Sequence, residues 1–310
     1  MNLFLAAVYT NQYMREQPRN KELNERECAI FEAIPNILES FHYVGKQAFV
    51  DAMRANNAKV FIDSGAFSAK SLGIDIDIDV YCDYIKRNLD IIRVEDGVVM
   101  ASVLDGIGDP LKTWQNQLYM EAQGAKPLPC FHFGEDERYL EWYIERYSYI
   151  TIGGMVRTKA EDVMQWLDRI WNKYLVDGSG RPKIKVHAFG VTTVSLMERY
   201  PWHSVDSSSW IQATAFGSVY TSEYGPICVS DKSPSRHEAG RHFSTFSEIE
   251  KQALNRLLES KGFTYDRLST VYQSRAGYNA LGYVELGDVL NAHFKQAAGV
   301  LDVSKLQQLF

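Results

Sequence analysis

The chain has 310 residues, of which 45% are hydrophobic and 23% charged, and its net charge is −6. This ordinary globular composition excludes a largely disordered, collagen-like or coiled-coil protein. The four cysteines lie far apart and no run of about 18 apolar residues occurs, so the sequence predicts neither a disulfide scaffold nor a membrane-spanning helix. The first residues are typical of a strand rather than of a secretory signal, and we expect a cytoplasmic protein.

Short apolar runs alternate with helical patterns along the first two thirds of the chain. The strand-like runs cover residues 3–9, 59–63, 98–105, 128–133, 149–154, 184–190 and 203–208. The helical patterns between them cover residues 80–92, 136–147, 159–175 and 192–200. Alternation of this kind predicts a parallel sheet. Seven such runs, with room for an eighth, predict an α/β fold of the (β/α)8 type, a TIM barrel.

The pattern changes after about residue 210, where Gly, Ser, Thr and Tyr become frequent. Further on, Ser247 and Glu250 have the spacing of a capping box, which predicts the start of a helix that ends at Gly262. A second helical pattern follows over residues 266–283. We therefore predict a (β/α)8 catalytic barrel over residues 1–225 and a C-terminal helical extension over 226–310.

Three of the predicted strand ends carry an aspartate, namely Asp63, Asp105 and Asp206. In a parallel barrel, functional side chains lie where the strands end. One such carboxylate is readily explained as a helix N-cap, but three at equivalent positions favour a site. Two neighbouring carboxylates suit attack at an anomeric carbon together with proton transfer to the leaving group. From the residues alone, glycosyl transfer, aldol chemistry and metal-assisted hydrolysis stay equally open.

Four segments resemble motifs of the tRNA-guanine transglycosylase superfamily, particularly its archaeal-type branch. They are FIDSGAFS (61–68), VLDGIGDP (103–110), YITIGGM (149–155) and VHAFGVTTVSLMERYPWHSVDSSSW (186–210). The four occur in the family's order, and the resemblance covers roughly residues 59–210. It implies a TIM-barrel pentosyltransferase that exchanges guanine in a nucleic acid through a covalent Asp-glycosyl intermediate.

The resemblance also implies a role for each matched residue. Asp206 would be the nucleophile that attacks C1′ of the nucleotide, and Asp63 would be the general acid/base. Asp105 would contact the hydrogen-bonding edge of the base, and Phe67 would stack on it. The other positions that would bind the base are Ser64, Gly65, His132, Gly153 and Gly154. His187 lies inside an apolar run, where a hydrogen-bonded core histidine and a site residue are equally open interpretations.

Two departures from the family pattern bear on cofactor and substrate. The family's zinc motif is absent, and Cys228, His237 and His242 do not have a recognisable zinc spacing, so we predict no metal and no other cofactor. No RNA-binding module is recognisable in the sequence. The chain is in this respect similar to a divergent branch of bacteriophages and bacterial genomic islands. That branch exchanges guanine in DNA for a 7-deazaguanine such as 7-cyano-7-deazaguanine.

We therefore expect DNA as the partner in preference to tRNA, and a free 7-deazaguanine base as the second substrate. The alternatives are a tRNA-guanine transglycosylase and a noncatalytic nucleic-acid-binding paralogue. Residues 229–310 hold ten Lys and Arg against nine Asp and Glu, whereas the rest of the chain is net negative. Within that segment Lys232, Arg236 and Arg241 are predicted to contact the nucleic-acid backbone, the alternative being a solvated loop. A phage-encoded protein of this kind would act in the host cytoplasm.

Overall fold

The computed structural model describes residues 1–11, 13–14, 22–156, 158–191, 193–221 and 224–300, the last eight of these without their side chains. The strands are β1 (Asn2–Ala6), β2 (Ile37–Ser40), β3 (Val60–Asp63), β4 (Val94–Glu95), β5 (Val98–Val99), β6 (Cys130–His132), β7 (Tyr149–Gly153), β8 (Lys185–Ala188), β9 (Ser204–Ser207), β10 (Ser218–Thr221) and β11 (Gly225–Cys228). The helices are α1 (Glu25–Glu32), α2 (Phe41–Val44), α3 (Gln47–Ala55), α4 (Ala66–Ser71), α5 (Ile78–Arg87), α6 (Pro110–Ala122), α7 (Glu137–Arg146), α8 (Ala160–Ile170), α9 (Val194–Arg199), α10 (Ser209–Ala215), α11 (Glu248–Ser260), α12 (Tyr265–Thr270) and α13 (Tyr272–Val300).

Seven strands form one parallel sheet in the order β3-β2-β1-β9-β8-β7-β6. Its central strands are buried on both faces, which is why their sequences are nearly continuous apolar runs. Phe61 near one edge of the sheet and Tyr149 near the other belong to one buried cluster with Phe4 of the central strand. Side chains from both edges meet only when a sheet curls, so the predicted parallel α/β architecture is confirmed as a curled sheet covered by helices.

The predicted strand over residues 98–105, the third of the seven runs, is not a regular strand of this sheet. Val98–Val99 pairs antiparallel with Val94–Glu95, because Asp96 and Gly97 both adopt positive φ and turn the chain back in a tight hairpin. The prediction of a (β/α)8 barrel is therefore corrected to a seven-stranded, curled parallel sheet.

The segment that follows this hairpin still contacts both edges of the sheet. Ser102 donates its backbone N–H to Ile62 of β3 (2.8 Å), and Val103 donates to Leu128 before β6 (2.9 Å). These contacts are isolated bridges and not a ladder. They place residues 100–103 between β3 and β6, which puts Asp105 near the end of Asp63's strand.

Strand β2 was not predicted, because Glu39 interrupts its apolar run. The Glu39 carboxylate is fully buried and accepts hydrogen bonds from the Tyr9 backbone N–H (2.6 Å) and the Thr10 hydroxyl (2.8 Å). Burial raises the pKa of Glu39 to about 7, although these donors oppose the shift. In the sequence, a buried glutamate whose hydrogen-bond donors lie in a distant loop cannot be distinguished from a polar residue that separates two elements.

The described residues form two compact units whose segments alternate along the chain. Unit 1 comprises residues 1–10, 36–207 and the chain from 287 onward, and unit 2 comprises 11–35 and 208–286. Unit 1 contains the parallel sheet. Unit 2 contains the hairpin β10–β11, helices α1, α10, α11 and α12, and the first part of α13. A domain boundary at residue 225 stays a prediction.

Unit 2 has its own aromatic core and a buried ion pair. The rings of Tyr13 and Phe31 stack at 4.6 Å between centroids, and Trp210 packs against both. The fully buried Glu27 carboxylate accepts from the Arg267 guanidinium at 2.7 and 2.8 Å. These contacts join segments far apart in sequence, which explains how residues 11–35 come to belong to this unit.

The predicted capping box is confirmed. The Ser247 hydroxyl accepts from the Glu250 backbone N–H, and the Glu250 carboxylate accepts from the Ser247 N–H (2.8 Å), so α11 begins where the sequence indicated. The single helical pattern predicted over 266–283 is divided at Val271 into α12 and α13. A search of the described helices finds none that combines the length and apolarity needed to cross a membrane.

Candidate active site

The three predicted aspartates lie at the carboxyl end of the parallel sheet in unit 1. Asp63 ends β3, Asp206 is the third residue of β9, and Asp105 follows the bridged segment 100–103. Burial, followed by the negative charges of Asp105 and Asp206, raises the pKa of Asp63 to about 7. Like charges shift one another's pKa in this direction only when they are close. The structure therefore brings the three carboxylates into one electrostatic cluster.

Asp63 is held in one orientation by its neighbours. Its Oδ2 accepts from the Gly65 backbone N–H (3.0 Å), and its Oδ1 accepts from the Ser102 hydroxyl (3.2 Å). Ser102 Oγ also accepts from the Ser64 backbone N–H (2.9 Å), and the Ser64 side chain is fully buried. Gly65 adopts φ +77°, and a Cβ there would overlap Ser40 Oγ. Ser64 and Gly65 thus shape the loop that carries the acid.

Asp206 is oriented by groups from the neighbouring strand β8 and the turn after it. Its Oδ1 accepts from the Gly190 backbone N–H (2.9 Å) and lies 3.4 Å from His187 Nε2. The side chain of Asp206 is 11% exposed, while that of His187 is fully buried. The carboxylate is therefore anchored through one oxygen and still reaches the surface of the site.

Asp105 and His132 form the third part of the cluster. His132 Nε2 lies 3.3 Å from Asp105 Oδ2 and 3.4 Å from Cys130 Sγ, and its Nδ1 lies 2.8 Å from Glu135 Oε1. Burial lowers the pKa of His132, but Cys130 and Asp105 beside it outweigh burial and the net shift is upward. Burial raises the pKa of Cys130 to about 11. The His132 ring therefore lies between the carboxyl groups of Asp105 and Glu135 and next to the Cys130 thiol.

Asp105, Cys130 and His132 could also hold a metal ion. Each offers one ligand atom, and the three atoms lie within 4.8 Å of one another. Sulfur, imidazole nitrogen and carboxylate oxygen are the ligands that zinc prefers, and a carboxylate on the other ring nitrogen, as Glu135 provides, is the usual support of a metal-bound histidine. Within the described ranges no other group of three His, Cys, Asp or Glu has this geometry.

Sequence reasoning missed Cys130 and Glu135. Cys130 and His132 are two residues apart in β6, and side chains two apart in a strand share a face. That periodicity could have placed the thiol beside the histidine. Glu135 reaches back three residues from the turn that follows β6, and its backbone and ring contacts with His132 depend on that turn.

Gly153, the last residue of β7, and Gly154 after it allow this strand to approach His132 closely. A Cβ at Gly153 would lie 3.3 Å from His132 Cδ2 and 3.4 Å from Cys130 Sγ. Gly154 adopts φ +75°, and a Cβ there would lie 3.1 Å from His132 Cβ. Gly153 is buried and Gly154 exposed. The structure thus assigns them a packing role around His132, and their contact with a base stays a prediction.

The remaining predicted residues lie on exposed surfaces. Phe67, the second residue of α4, is 48% exposed. Lys232, Arg236 and Arg241 belong to unit 2 and are exposed. Arg236 donates to the Asp231 carbonyl (3.2 Å) and Arg241 to the Glu238 carboxylate (2.8 Å), so two of the three cations are partly engaged within their own loop.

His242 and Cys228 are engaged in hydrogen bonds inside unit 2. His242 is fully buried, with Nδ1 2.8 Å from Ser244 Oγ and Nε2 3.1 Å from the Ser230 carbonyl. Cys228 Sγ lies 3.2 Å from Ser218 Oγ. These contacts occupy both ring nitrogens of His242.

A cavity of about 550 Å³ lies at the other end of the sheet, where the strands begin. Lys183, Lys185, Trp202 and His203 are among its lining residues. None of the predicted site residues lines it, so this cavity and the acidic cluster are separate features of unit 1.

Comparison with known proteins neither supports nor contradicts the resemblance to the transglycosylase superfamily. No family model matches the chain, and no curated protein matches it at a significant level.

Proposed function

We propose that this protein is a pentosyltransferase that exchanges guanine in DNA for a 7-deazaguanine base. The observation that carries the proposal is the cluster of Asp63, Asp105 and Asp206 at one end of the sheet, in three different environments. Pairs of acids whose surroundings separate their pKa values are typical of acid–base and nucleophile assignments. The matched motifs then select glycosyl transfer from the chemistries that such a cluster suits.

In this reaction the Asp206 carboxylate attacks C1′, and the bond from C1′ to guanine breaks with its electron pair leaving on the base. Asp63 in its acid form supplies the proton to the departing guanine. The incoming 7-deazaguanine gives a proton to Asp63 and attacks C1′, which releases Asp206. Two inversions give net retention. A pKa of about 7 suits Asp63 to both directions of proton transfer near neutral pH.

Asp105 is proposed to bind the base through its unused oxygen. Its Oδ1 is buried and has no hydrogen-bond partner among the residues that the structure describes. A buried acceptor of this kind costs free energy until a donor fills it, and the N–H groups of a guanine edge are suitable donors. Phe67 is proposed to stack on the base, since its ring is exposed.

The scaffold proposed for this site is of the TIM-barrel type. The bridges of residues 100–103 to Ile62 and Leu128 support it, because they join the two edges of the curled sheet at the position of an eighth strand. We propose cytoplasmic action and Lys232, Arg236 and Arg241 as contacts to the nucleic-acid backbone, with tRNA as the alternative substrate.

A base-exchange assay tests the proposal directly. Duplex DNA, single-stranded DNA and tRNA are each incubated with the protein and 7-cyano-7-deazaguanine, then digested and analysed by mass spectrometry. A modified deoxynucleoside that is absent with the Asp206→Ala variant is the expected result. A modified ribonucleoside alone would move the protein to the tRNA enzymes, and no product with any of the three would favour the noncatalytic paralogue.

A second candidate, metal-assisted hydrolysis, is favoured by one observation, the group formed by Asp105, Cys130 and His132. Metal analysis of the purified protein separates the two candidates. A stoichiometric metal that is lost in both Cys130→Ser and His132→Gln, and that is required for activity, would favour hydrolysis and count against the transglycosylase. An exchange activity that is unchanged by a chelator would count against hydrolysis.

A further inference from the structure

His187 and Asp206 are connected to a chain of buried hydroxyl groups that the proposed reaction does not use. The Tyr149 hydroxyl lies 2.7 Å from Ser204 Oγ, and Ser204 Oγ lies 2.7 Å from His187 Nδ1. The other ring nitrogen, Nε2, lies 3.4 Å from Asp206 Oδ1. Three neighbouring strands, β7, β9 and β8, thus place four polar side chains in a line that ends on the carboxylate.

The surroundings of His187 keep its imidazole neutral. Its ring packs edge-on against Phe61 and Phe189, each 4.7 Å away between centroids, and against Phe4 at 5.9 Å. Burial among these rings lowers the pKa of His187, although Asp206 opposes the shift. Asp206 is the charged group that faces it from the adjoining strand. A neutral imidazole carries a single N–H. The position of that proton decides whether the Asp206 carboxylate faces an N–H donor or a nitrogen lone pair.

The hydroxyl chain decides where the proton lies. If Nδ1 carried it, the lone pair of Nε2 would face the Asp206 carboxylate in a buried, low-dielectric place, which is unfavourable. If Nε2 carries it, Nδ1 accepts from Ser204, and Ser204 in turn accepts from Tyr149. Burial raises the pKa of Tyr149, so its phenol remains protonated and can begin this chain as a donor. The hydroxyls of Tyr149 and Ser204 then each have an acceptor, and the Nε2 proton lies on the side of Asp206, whose Oδ1 is 3.4 Å away.

We propose that His187 is a positioning residue that directs Asp206 for attack, and that Asp206 Oδ2 is the oxygen that bonds to C1′. The Gly190 N–H donates to Oδ1, and His187 Nε2 lies 3.4 Å from the same oxygen, so Oδ1 is the anchored oxygen while Oδ2 keeps its lone pairs for the sugar. A neutral donor orients the carboxylate and leaves its negative charge in place, whereas an arginine or lysine at this position would neutralise that charge. The separation of 3.4 Å is expected to shorten when the nucleotide is bound. This inference rests on the proposed function for its catalytic part.

Kinetics of base exchange test the catalytic part. His187→Phe keeps an aromatic ring and removes the donor, and we expect kcat to fall by about 10- to 100-fold with little change in KM for the base. Ser204→Ala and Tyr149→Phe are expected to have smaller effects, and His187→Gln, which keeps an N–H donor, should recover part of the rate. A wild-type kcat for His187→Phe would overturn the proposal.

The matched control is Tyr84→Phe. Tyr84 is also a buried tyrosine, and its hydroxyl has no hydrogen-bond partner in the described part of the chain. Its loss should leave kcat unchanged. A loss of kcat in Tyr84→Phe equal to that in Tyr149→Phe would show that removing any buried hydroxyl disturbs the protein. It would overturn the proposed hydrogen-bonded relay from Tyr149 through Ser204 to His187.

Nitrogen-15 NMR of labelled histidine tests the arrangement without any activity. The His187 resonances, identified by their absence in His187→Gln, should show a neutral ring protonated at Nε2 at pH 7. Ser204→Ala should mix the two tautomers. An Nδ1-protonated ring or an imidazolium at pH 7 would overturn the proposal even if exchange occurs. If the wild-type protein exchanges no base but the ring has the expected tautomer, the proposed function fails and the hydrogen-bonded relay stands.

Discussion

At the two ends of the parallel sheet in unit 1, the pKa values of carboxyl groups are shifted in opposite directions. Where the strands begin, Glu95 lies 2.9 Å from Lys185 Nζ and also contacts His203. Burial raises the pKa of Glu95, but Lys185 and His203 outweigh it and the net shift is downward. Where the strands end, the charges nearest Asp63 are those of Asp105 and Asp206, and its pKa rises to about 7.

The difference shows which acids serve the fold. Burial lowers the pKa of His203, so the cations beside Glu95 near pH 7 are Lys185, at 2.9 Å, and Arg93, whose Nε lies 3.8 Å from Glu95 Oε2. A carboxylate paired in this way stabilises the folded state. Carboxylates gathered with other carboxylates cost stability, and such an arrangement is typical of functional sites. Glu95 therefore stabilises the fold, and the three aspartates are the groups proposed to carry the chemistry.

The largest expected effect is on activity at the end where the strands finish. Asp206→Ala should abolish base exchange, a loss of at least about 1000-fold, because it removes the carboxylate proposed to form the covalent intermediate. Its circular dichroism and melting temperature should stay close to wild type. Asp206→Asn should also give no covalent adduct with DNA on a denaturing gel. Exchange at the wild-type rate in Asp206→Ala would refute the nucleophile assignment.

The next effect is on stability at the end where the strands begin. Glu95→Gln should lower the free energy of unfolding at pH 7 by about 2 kcal/mol, since the partly buried Lys185 and Arg93 both lose this carboxylate and Lys185 keeps only the exposed Asp96. A lowered pKa means that this stabilisation is present above the unfolded-state pKa and is lost as pH falls through the folded-state pKa. In urea denaturation the difference between the two proteins should therefore shrink as pH falls below about 4.3, the unfolded-state pKa of a glutamate.

Glu145→Gln is the control for this comparison. Glu145 also pairs with a cation, Arg146 at 3.2 Å, but its side chain is 70% exposed. Its loss should change stability by less than about 0.5 kcal/mol. Equal effects of the two substitutions would remove the distinction between a buried and an exposed pair.

An effect of similar size and opposite sign is expected for Asp63→Asn. The folded-state pKa of Asp63 is raised, so its stabilisation is present below the unfolded-state pKa of about 4 and is lost as pH rises through about 7. The variant should therefore gain stability relative to wild type between pH 4 and 7, reaching about 2 kcal/mol at pH 8. Thermal melts across this range measure the gain.

Asp83→Asn supplies the matched substitution at an ordinary site. Asp83 pairs with Lys86 at 3.0 Å on an exposed helix face, and this partner lowers its pKa. Its variant should show no gain over the same pH range. If Asp63→Asn also shows no gain in stability over this pH range, the cluster of negative charges does not destabilise the folded protein.

The smallest effect concerns the cations of unit 2. Replacement of Lys232, Arg236 or Arg241 by Ala should weaken nucleic-acid binding a few-fold each at about 0.15 M salt, and should reduce the slope of log affinity against log salt by roughly 0.7 to 0.9. Fluorescence anisotropy with labelled DNA measures both. Lys173→Ala, an exposed lysine of unit 1 paired with Glu137, is the control and should leave the slope unchanged.

Most strands and the positions of the three aspartates could be predicted, because buried parallel strands are short apolar runs and function lies at their carboxyl ends. The strand at 37–40 could not, since Glu39 is satisfied by Tyr9 and Thr10 through contacts that no local pattern reveals. The run at 98–105 was wrong as a regular strand because the turn at Asp96 and Gly97 pairs its first residues elsewhere.

The sequence by itself determined the alternation of strands and helices, the cap of α11 at Ser247, and which acids end apolar runs, since each of these depends on residues close together in the chain. Only the tertiary structure decided that the pKa of Asp63 is raised while that of Glu95 is lowered. A pKa depends on burial and on neighbouring charges, and here distant segments of the chain supply both. The same holds for His187, whose orienting hydroxyls on Tyr149 and Ser204 come from two other strands.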